Sequence, residues 1–371
     1  MVCDETELAL LALPADMNCL VAEPCTPVIP KDAAIIAAQH RIIRFKGCLM
    51  IEMHEPYAHF ISLTREHFTR IAHQLLGWAR PSHMNGVFAH LRYTAQDLSA
   101  NDHLLLFGNL ADTKADLTVW DMDTLVVRSD VLPQDCVQRS PYSMKRHDNG
   151  SLPFIMQLSG NEQSLYDDIM QSLAPLTMAQ KPDGVIWWIG DGTNSKSMLM
   201  DALFSIFPDQ LSSLTVKQLV GGRSNTPLLN GMLGNIAKDD NGQVKDVELY
   251  RTISKHHDFN VHKYHSQDGL EVQGNVHHIF SADNAPTFTK KSWSTQWRTF
   301  TVPFNEQNES NLPYTFTPEM FGQLIAEMCV YANHIKRQGY RYEWSATTLA
   351  AKNRKLDIAP SRPSSILAGR W

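Results

Sequence analysis

Runs of apolar residues alternate along the chain with stretches whose apolar positions have helical spacing. Residues 184–189 and 277–281 form largely apolar runs, and a third covers residues 232–237. Short runs of this kind, bounded by polar turns, are typical of strands buried on both faces. Helical spacing follows the first run over residues 197–207 and stops at Pro208. Strands that alternate with helices predict an α/β core with a parallel sheet.

The rest of the chain is predicted from the same periodicities. Residues 33–96 have helical spacing, and residues 104–107 and 117–127 read as short strands joined by a turn. Residues 153–176 are predicted as a helical stretch, and residues 321–340 as an amphipathic helix. The predicted segments are an acidic N-terminal arm (1–30), a small α-rich domain with short strands (31–150), the α/β core (151–310), and a C-terminal helix with a basic tail (311–371).

Charge is distributed unevenly along a chain whose composition is that of a folded globular protein. Hydrophobic residues make up 43% of the 371 residues and charged residues 19%. The formal net charge is -6, yet residues 335–371 contain eight Lys or Arg against two acidic residues. This basic end could meet a polyanion such as DNA, or it could be a solvated helix and tail.

The cysteines and the apolar segments indicate in which cellular compartment the protein is expected. The six cysteines are scattered without a Cys-x-x-Cys pair, which favours neither a disulfide framework nor a zinc ribbon. No segment approaches the roughly 20 apolar residues that cross a bilayer. We expect a cytoplasmic protein without membrane association, in the host cytoplasm if a phage encodes it.

A glycine-rich loop follows the first apolar run. It matches the pattern G-x-x-x-x-G-K-[ST] at Gly190, Lys196 and Ser197, with Ser195 in place of the second glycine. A loop of this kind between a strand and a helix presents backbone N–H groups and a lysine to phosphates, and its hydroxyl can hold Mg²⁺. We therefore predict ATP and Mg²⁺ as ligands, a coincidental glycine turn being the alternative. The predicted nucleotide-binding residues are Gly190, Asp191, Gly192, Thr193, Asn194, Ser195, Lys196 and Ser197.

Polar residues follow the two later apolar runs. Asp239 and Asp240 come after residues 232–237, where a carboxylate can organise Mg²⁺ and water, with Asp239 the predicted metal ligand beside Ser197. Asn284 follows the run 277–281, where an amide can contact the γ-phosphate. Both segments are also good turn sequences, so a purely structural role is the alternative.

The order and spacing of these elements resemble superfamily-3 helicases, the AAA+-type hexameric motors of small viruses, phages and plasmids. The resemblance is to the C-terminal helicase part of poxvirus-type primase-helicases and their phage and plasmid relatives, and it covers roughly residues 100–335. Gly192 and Asn194 match that family's loop as well. Three departures are Ser195, Lys238 where relatives often carry an acid, and His256-His257-Asp258 where they have Gly-Gly-Asp. The resemblance implies an AAA+-like P-loop core behind a collar-like domain.

The resemblance also assigns a DNA-binding hairpin. Residues 250–275 correspond to an element whose hairpin tip grips single-stranded DNA in the channel of the ring. His262, Lys263 and His265 supply cations there, with Tyr264 between them. The alternatives are a metal site of His257, His262 and His265, and an exposed polar hairpin without a ligand.

An arginine completes the predicted catalytic set. Residues 297–304 resemble the family's segment that donates an arginine across the subunit interface to the γ-phosphate of the neighbour, and Arg298 is the candidate. A structural salt bridge is the alternative for Arg298. The predicted catalytic residues are Lys196, Asp239, Asp240, Asn284 and Arg298.

Three functions remain open at this point. The first is an ATP-dependent DNA helicase of a phage or mobile element, forming a homo-oligomeric ring, by resemblance a hexamer, on single-stranded or forked DNA. A primase or replication initiator would be a further partner. The second is a nucleotide- and DNA-binding replication initiator or scaffold with weak hydrolysis, and the third a small-molecule kinase, which leaves the basic hairpin and Arg298 unexplained.

Overall fold

The computed structural model describes residues 29–45, 48–54, 58–77, 80–146, 151–190, 195–220, 226–238, 240, 243–262, 269–289, 293–304 and 315–355. Contacts divide the chain into two units, Met1–Ala100 and Asn101–Trp371. The boundary between the units therefore lies inside the region 31–150 that was predicted as one domain.

The first unit combines three helices with a four-stranded sheet. In that sheet the strand order is β3-β2-β1-β4, with antiparallel neighbours except for the parallel pair of β1 and β4. Apolar residues from the helices and from β2 form its core. Its elements are α1 (Ile29–Gln39), β1 (Ile42–Phe45), β2 (Cys48–Met53), β3 (His59–Ser62), α2 (Arg65–Leu76), α3 (Pro81–Thr94) and β4 (Gln96–Asp97).

The prediction of helical structure throughout residues 33–96 is wrong for β1, β2 and β3, which are strands. In β1, Ile43 and Phe45 are buried while Ile42 and Arg44 are half-exposed, which is the two-residue period of a strand. Over four residues, an apolar pattern does not separate that period from a helical one. The helices α2 and α3 are confirmed, and the Thr64 side chain caps α2 by accepting from the His67 N–H at 3.2 Å.

The second unit begins with a small sheet of β5 (Leu104–Phe107), β6 (Thr118–Asp121), β7 (Val126–Arg128) and β8 (Gln138–Ser140), in the order β7-β6-β5-β8. The run predicted as one strand is instead the hairpin of β6 and β7. Asp121 Oδ1 accepts from the backbone N–H groups of Asp123 and Thr124, and Leu125 has a φ of 59°. An aspartate that bonds its own following backbone reverses the chain, which explains the turn.

A five-stranded parallel sheet forms the centre of the second unit, as the sequence predicts. Its order is β10-β11-β15-β9-β17, and all neighbours are parallel. Its strands are β9 (Val185–Ile189), β10 (Leu211–Ser212), β11 (Gly234–Ala237), β15 (His277–Ala282) and β17 (Thr299–Pro303). The remaining strands form two pairs, β12 (Gln243–Val244) with β16 (Thr287–Phe288) and β13 (Phe259–His262) with β14 (Gly269–Val272).

Helices cover both faces of the core sheet. Trp188 packs in a cluster with apolar residues of α5, α6 and α10, whereas Trp187 packs on the opposite side with residues of α7 and α8. Two covered faces explain why the core strands are continuous apolar runs. The helices of this unit are α4 (Pro153–Leu158), α5 (Gln163–Leu173), α6 (Ser195–Ile206), α7 (Val216–Val220), α8 (Val247–Ile253), α9 (Trp293–Trp297), α10 (Pro318–Arg337) and α11 (Ala346–Lys355).

The stretch 153–176, predicted as continuously helical, is interrupted. Gly160 and Asn161 both have positive φ, 67° and 62°, between α4 and α5. Two successive residues in this conformation end a right-handed helix.

Buried polar groups in the core find partners that fix the sheet to its helices. The indole N–H of Trp187 donates to the Tyr250 hydroxyl at 3.0 Å, and that of Trp188 donates to Ser172 Oγ at 3.1 Å. Tyr250 also bonds Thr299 Oγ1 at 3.2 Å, so one network joins β9, α8 and β17.

Candidate functional site

The described ends of the predicted nucleotide-binding segment, Gly190 and the first turn of α6, lie at the carboxyl ends of the core strands. Because β9, β11, β15 and β17 are parallel, their carboxyl ends meet there, and this is where open α/β sheets bind ligands. Gly190 follows β9, Lys238 and Asp240 follow β11, Asn284 follows β15 and Phe304 follows β17.

Gly190 has close neighbours on two strands. Its N–H donates to the Ala282 carbonyl at 3.3 Å. A Cβ at this position would lie 2.5 Å from the Phe304 carbonyl oxygen. The close contact with the backbone after β17 therefore requires glycine at this position, whether or not a phosphate binds beside it. Asp191, Gly192, Thr193 and Asn194 lie outside the described residues, as does the side chain of Ser195.

Lys196 is the buried cation of this edge. It is 4% exposed, and its Nζ donates to the Gly190 carbonyl oxygen at 2.5 Å. The ammonium of this residue, at the amino end of α6, thus contacts the backbone at the carboxyl end of β9. Ser197, the next residue, is half-buried. Lysine, hydroxyl and helix amino terminus together suit an anionic ligand with a divalent cation.

Of the two predicted acids, Asp240 is described, and Asp239 lies outside the described residues. Asp240 is 3% exposed, and its backbone N–H donates to the Ser281 carbonyl at 2.8 Å. Its carboxylate accepts from the backbone N–H of Val216, the first residue of α7. The Asp240 carboxylate therefore has a structural partner at the start of a helix, and a role toward metal or water stays a prediction.

The neighbouring Lys238 is paired with the helix that follows the glycine-rich loop. Its ammonium forms an ion pair with Asp201 of α6. The two side chains are 33% and 65% exposed, so the pair lies at the surface and its contribution to stability is small. Asn284 and the preceding Asp283 are both exposed after β15, and the proposed contact of Asn284 with a γ-phosphate stays a prediction.

Arg298 lies at the amino ends of the parallel strands, opposite the end of the sheet where Gly190 lies. Thr299 pairs with Val185 in the parallel register of β17 and β9, so Arg298 precedes both strands while Gly190 follows β9. Five residues at about 3.3 Å each separate the two edges by about 17 Å. Arg298 Nε forms an ion pair with Asp183 Oδ2 at 3.0 Å, and Nη1 donates to the Ser294 carbonyl at 3.2 Å. Within one chain, Arg298 thus forms a salt bridge, which was the alternative to a catalytic role. Its donation to the γ-phosphate of a neighbouring copy stays a prediction.

The predicted hairpin is present as the antiparallel pair of β13 and β14, with registers from Phe259↔Val272 to His262↔Gly269. Lys263 and His265 at its tip lie outside the described residues, as does the side chain of His262, so neither DNA contact nor the histidine metal site is tested. The base of the hairpin is closely packed. A Cβ at Gly274 would overlap the His257 carbonyl group, and the Gly274 N–H donates to Asp258 Oδ1 at 2.7 Å.

Sequence reasoning missed a group of imidazoles near the start of β15, of which His277 and His278 are buried and His256 is half-buried. His277 and His278 are 0% and 1% exposed. His277 Nε2 contacts the Ser172 carbonyl at 2.7 Å, whereas neither ring nitrogen of His278 has a hydrogen-bond partner. His256 contacts the carbonyls of Pro182 and Val276 through its two ring nitrogens, at 2.9 and 3.0 Å.

Burial determines the ionisation of this group. Desolvation lowers the pKa of His256 to about 4, although its two carbonyl partners oppose the shift. Desolvation likewise lowers the pKa of His278 to about 3, helped by the charges of His256 and Lys181. Burial therefore favours the neutral form of these imidazoles. Two adjacent histidines inside an apolar run were the available signal, but the partner of His277, the Ser172 carbonyl of α5, lies 105 positions away in the chain.

No protein-family model and no curated protein matches the chain. Solved structures do match it. An apo structure of the C-terminal region of NrS-1 (305–718) is 12% identical with a TM-score of 0.50, and the match covers 88% of this chain and 76% of that chain. An A form apo structure of the same region is 10% identical with a TM-score of 0.49, covering 87% and 73%. At such identity the likeness concerns the fold. Within the part of the chain described, no helix is both long and apolar enough to cross a membrane.

Proposed function

We propose that this protein is an ATP-dependent DNA helicase that assembles as a ring and acts in replication. The observation that carries the proposal is the buried Lys196 ammonium, which contacts the Gly190 carbonyl at the carboxyl end of the interior strand β9. A buried ammonium at the amino end of a helix is suited to a triphosphate that would take over part of its bonding.

In this proposal the residues at the two edges of the sheet have separate tasks. Lys196 binds the β- and γ-phosphates, Ser197 holds Mg²⁺, and Asp239 with Asp240 positions metal and water. Asn284, at the end of β15, senses the γ-phosphate. Arg298 cannot reach the loop of its own chain from the opposite edge, which is consistent with donation to a neighbouring copy.

The fold is compatible with moving DNA. Gly274 and Asp258 fix the base of the β13–β14 hairpin. Asn230, which follows the short turn Thr226–Leu229, accepts from the Gln273 N–H at 2.8 Å. In this proposal, ATP hydrolysis moves the core, and these contacts move the stem of the hairpin with it. The DNA, bound by Lys263 with His262 and His265, would then move with the hairpin.

The test is the substitution Lys196→Ala, with Lys114→Ala, an exposed lysine away from the core sheet, as the matched control. We expect Lys196→Ala to abolish DNA-stimulated ATP hydrolysis while circular dichroism and the melting temperature remain close to those of the wild type. The control should hydrolyse ATP normally. Unchanged turnover in Lys196→Ala would exclude the proposed site.

One observation favours the second function, a nucleotide- and DNA-binding initiator or scaffold with weak hydrolysis. The Asp240 carboxylate already accepts from the Val216 N–H, and Lys238 stands beside it paired with Asp201. The Val216 N–H occupies one oxygen of the Asp240 carboxylate, and the end of β11 carries the Lys238 ammonium where a second carboxylate would help to bind a metal. Steady-state ATP hydrolysis measured with and without single-stranded DNA separates the two functions, since the scaffold binds both ligands without DNA-stimulated turnover.

A further inference from the structure

The C-terminal segment, residues 340–355, is fixed to helix α5 by two buried side chains. Gln171 bonds both backbone polar groups of Glu343: its Nε2 donates to the carbonyl at 2.9 Å, and its Oε1 accepts from the N–H at 2.7 Å. Asp168 accepts from the backbone N–H of Ser345 at 2.9 Å and from the Ser345 hydroxyl. Because Ser345 immediately precedes α11, these bonds determine where that helix begins.

Aromatic rings of the same segment pack on the start of β17. The Phe300 ring lies 5.6 Å from the Tyr342 ring and 5.1 Å from the Trp344 ring, measured between centroids. Tyr342 and Trp344 stack on each other at 4.6 Å. A Cβ at Gly184 would lie 2.6 Å from the Phe300 ring. Phe300 is therefore confined by its neighbours, and the C-terminal segment is held against β17.

Lys352 of α11 reaches from this segment to the residue before Arg298. Its Nζ donates to the Trp297 carbonyl oxygen at 2.6 Å. The ammonium also lies 4.1 Å from the centre of the Phe300 ring and 5.5 Å from that of Trp297. Lys352 is 6% exposed. The buried ammonium thus connects α11 to the carbonyl at the end of α9.

The Trp297 carbonyl belongs to the peptide unit that leads into Arg298. The N–H of the same unit, that of Arg298, donates to the Thr295 carbonyl at 3.2 Å. The next carbonyl, that of Arg298, accepts from the Val185 N–H at 2.8 Å. A peptide unit is planar, so holding both of its polar groups fixes the direction of the following Cα. Lys352 therefore supplies one of the bonds that orient the backbone of Arg298.

The burial of the Lys352 ammonium is costly. Desolvation lowers the pKa of Lys352 to about 7, and no described carboxylate is paired with it. Glu248 and Glu343, which lie on neighbouring elements, pair with Arg251 and His334 instead. An apolar side chain at such a position often gives equal or greater stability. The hydrogen bond that this cation donates therefore explains its presence better than core stability does.

We propose that Lys352 is a positioning residue for Arg298: by holding the Trp297 carbonyl, it directs the arginine toward the nucleotide of a neighbouring copy. This inference rests on the proposed function, in which Arg298 is donated across the subunit interface. The side chain of Arg298 can still exchange partners, because its ion pair with Asp183 involves a carboxylate that is 55% exposed.

The first experiment measures the kcat and KM of DNA-stimulated ATP hydrolysis with the full chain. Lys352→Met keeps the apolar stem and removes the donor. We expect its kcat to fall at least about tenfold and its KM for ATP to stay within about twofold, because its own glycine-rich loop is intact. Lys352→Arg restores a cationic donor and should recover part of the kcat. Lys336→Met, which removes bonds to the carbonyls of Asp123 and Thr124, is the matched control and should hydrolyse ATP normally.

A second experiment mixes Lys352→Met with other inactive chains. With Lys196→Ala, hydrolysis should reappear, because sites form from the intact loop of one chain and the well-placed arginine of the other. With Arg298→Ala it should not, since neither chain then supplies a working arginine. This pattern is that of an arginine defect, and a general loss of structure would not produce it.

Two results would overturn the inference: wild-type kcat in Lys352→Met, or recovery of Lys352→Met with neither partner, which indicates a purely structural role. The mixture of Lys196→Ala with Arg298→Ala is the reference. If the reference recovers, either of those results counts against Lys352 alone. If the reference does not recover, donation of Arg298 to a neighbour is wrong, and the inference on Lys352 falls with it.

Discussion

At the scale of single residues, the buried imidazoles make stability depend on pH. The folded-state pKa values of His256 and His278, about 4 and about 3, lie below the ordinary 6.5. The unfolded chain therefore binds more protons than the folded chain as the pH falls from 6.5 to about 4. Stability is fully present above 6.5 and decreases through that window, by at most about 1.4 kcal/mol per pH unit for each imidazole. Chemical denaturation at a series of pH values measures this slope.

A variant identifies the contribution of His278. Its ring stacks on Phe280 and has no hydrogen-bond partner, so His278→Phe keeps the stacking and removes the titrating group. Lys181 and His256 still face the site, and Asp183 still acts on His256, so part of the slope should remain. We expect a shallower decline below pH 6.5, with exposed His257→Phe as control. An identical slope in wild type and His278→Phe would contradict the assignment.

At the scale of elements, the contact between the glycine-rich loop and β17 explains part of the requirement for glycine. In Gly190→Ala the new methyl group meets the Phe304 carbonyl, a backbone atom that cannot move without β17. We expect a loss of about 1–3 kcal/mol in the free energy of unfolding, measured without nucleotide.

The control for this prediction is Gly86→Ala within α3. There the nearest atom to an added Cβ is the flexible end of Ile29, and alanine favours the helix. Its stability should be unchanged or higher. If Gly190→Ala unfolded like the wild type and lost only nucleotide binding, the packing argument would be incorrect.

The core strands that the sequence predicted correctly are those whose residues form largely apolar runs. Such runs identified β9, β11 and β15, because strands covered on both faces need no alternation. The strand β1 has four residues, as β11 does, but alternates buried with half-exposed positions, and over four residues that pattern could not be separated from a helical one.

Contacts between distant parts of the chain were beyond the sequence. The pairing of Arg298 with Asp183 joins residues 115 positions apart, and the acceptance of the Val216 N–H by Asp240 depends on where α7 begins. A motif predicts which residue types occur together at a site, whereas the partners that each side chain has in the fold could not be predicted from it.

At the scale of the whole molecule, the separation of Lys196 and Arg298 on two edges makes a prediction about mixtures. If Arg298 acts on a neighbouring copy, Lys196→Ala and Arg298→Ala chains are each inactive alone. Mixed, they form some sites with an intact loop from one chain and an intact arginine from the other. We expect ATP hydrolysis to reappear on mixing.

Arg298→Lys with Lys196→Ala serves as a comparison, since lysine cannot reproduce the planar guanidinium. No recovery in any mixture, together with an unstable Arg298→Ala chain, would show that Arg298 serves only its ion pair with Asp183. Particle images in the presence of a non-hydrolysable ATP analogue would show whether the mixtures form rings.

The position of β17 has a consequence for the timing of such a ring. Arg298 stands just before this strand, and Phe304, just after it, contacts both Ile189 and Gly190 through its backbone. The five-residue strand β17 therefore connects two parts of the proposed mechanism. At one end is Arg298, proposed to contact the nucleotide of the next copy, and at the other is the contact with the glycine-rich loop of the same chain. If the protein forms the proposed ring, release of phosphate at one site would move the Arg298 that contacts it, and with it the glycine-rich loop of the copy that carries this arginine. The copies would then hydrolyse ATP in sequence and not at random.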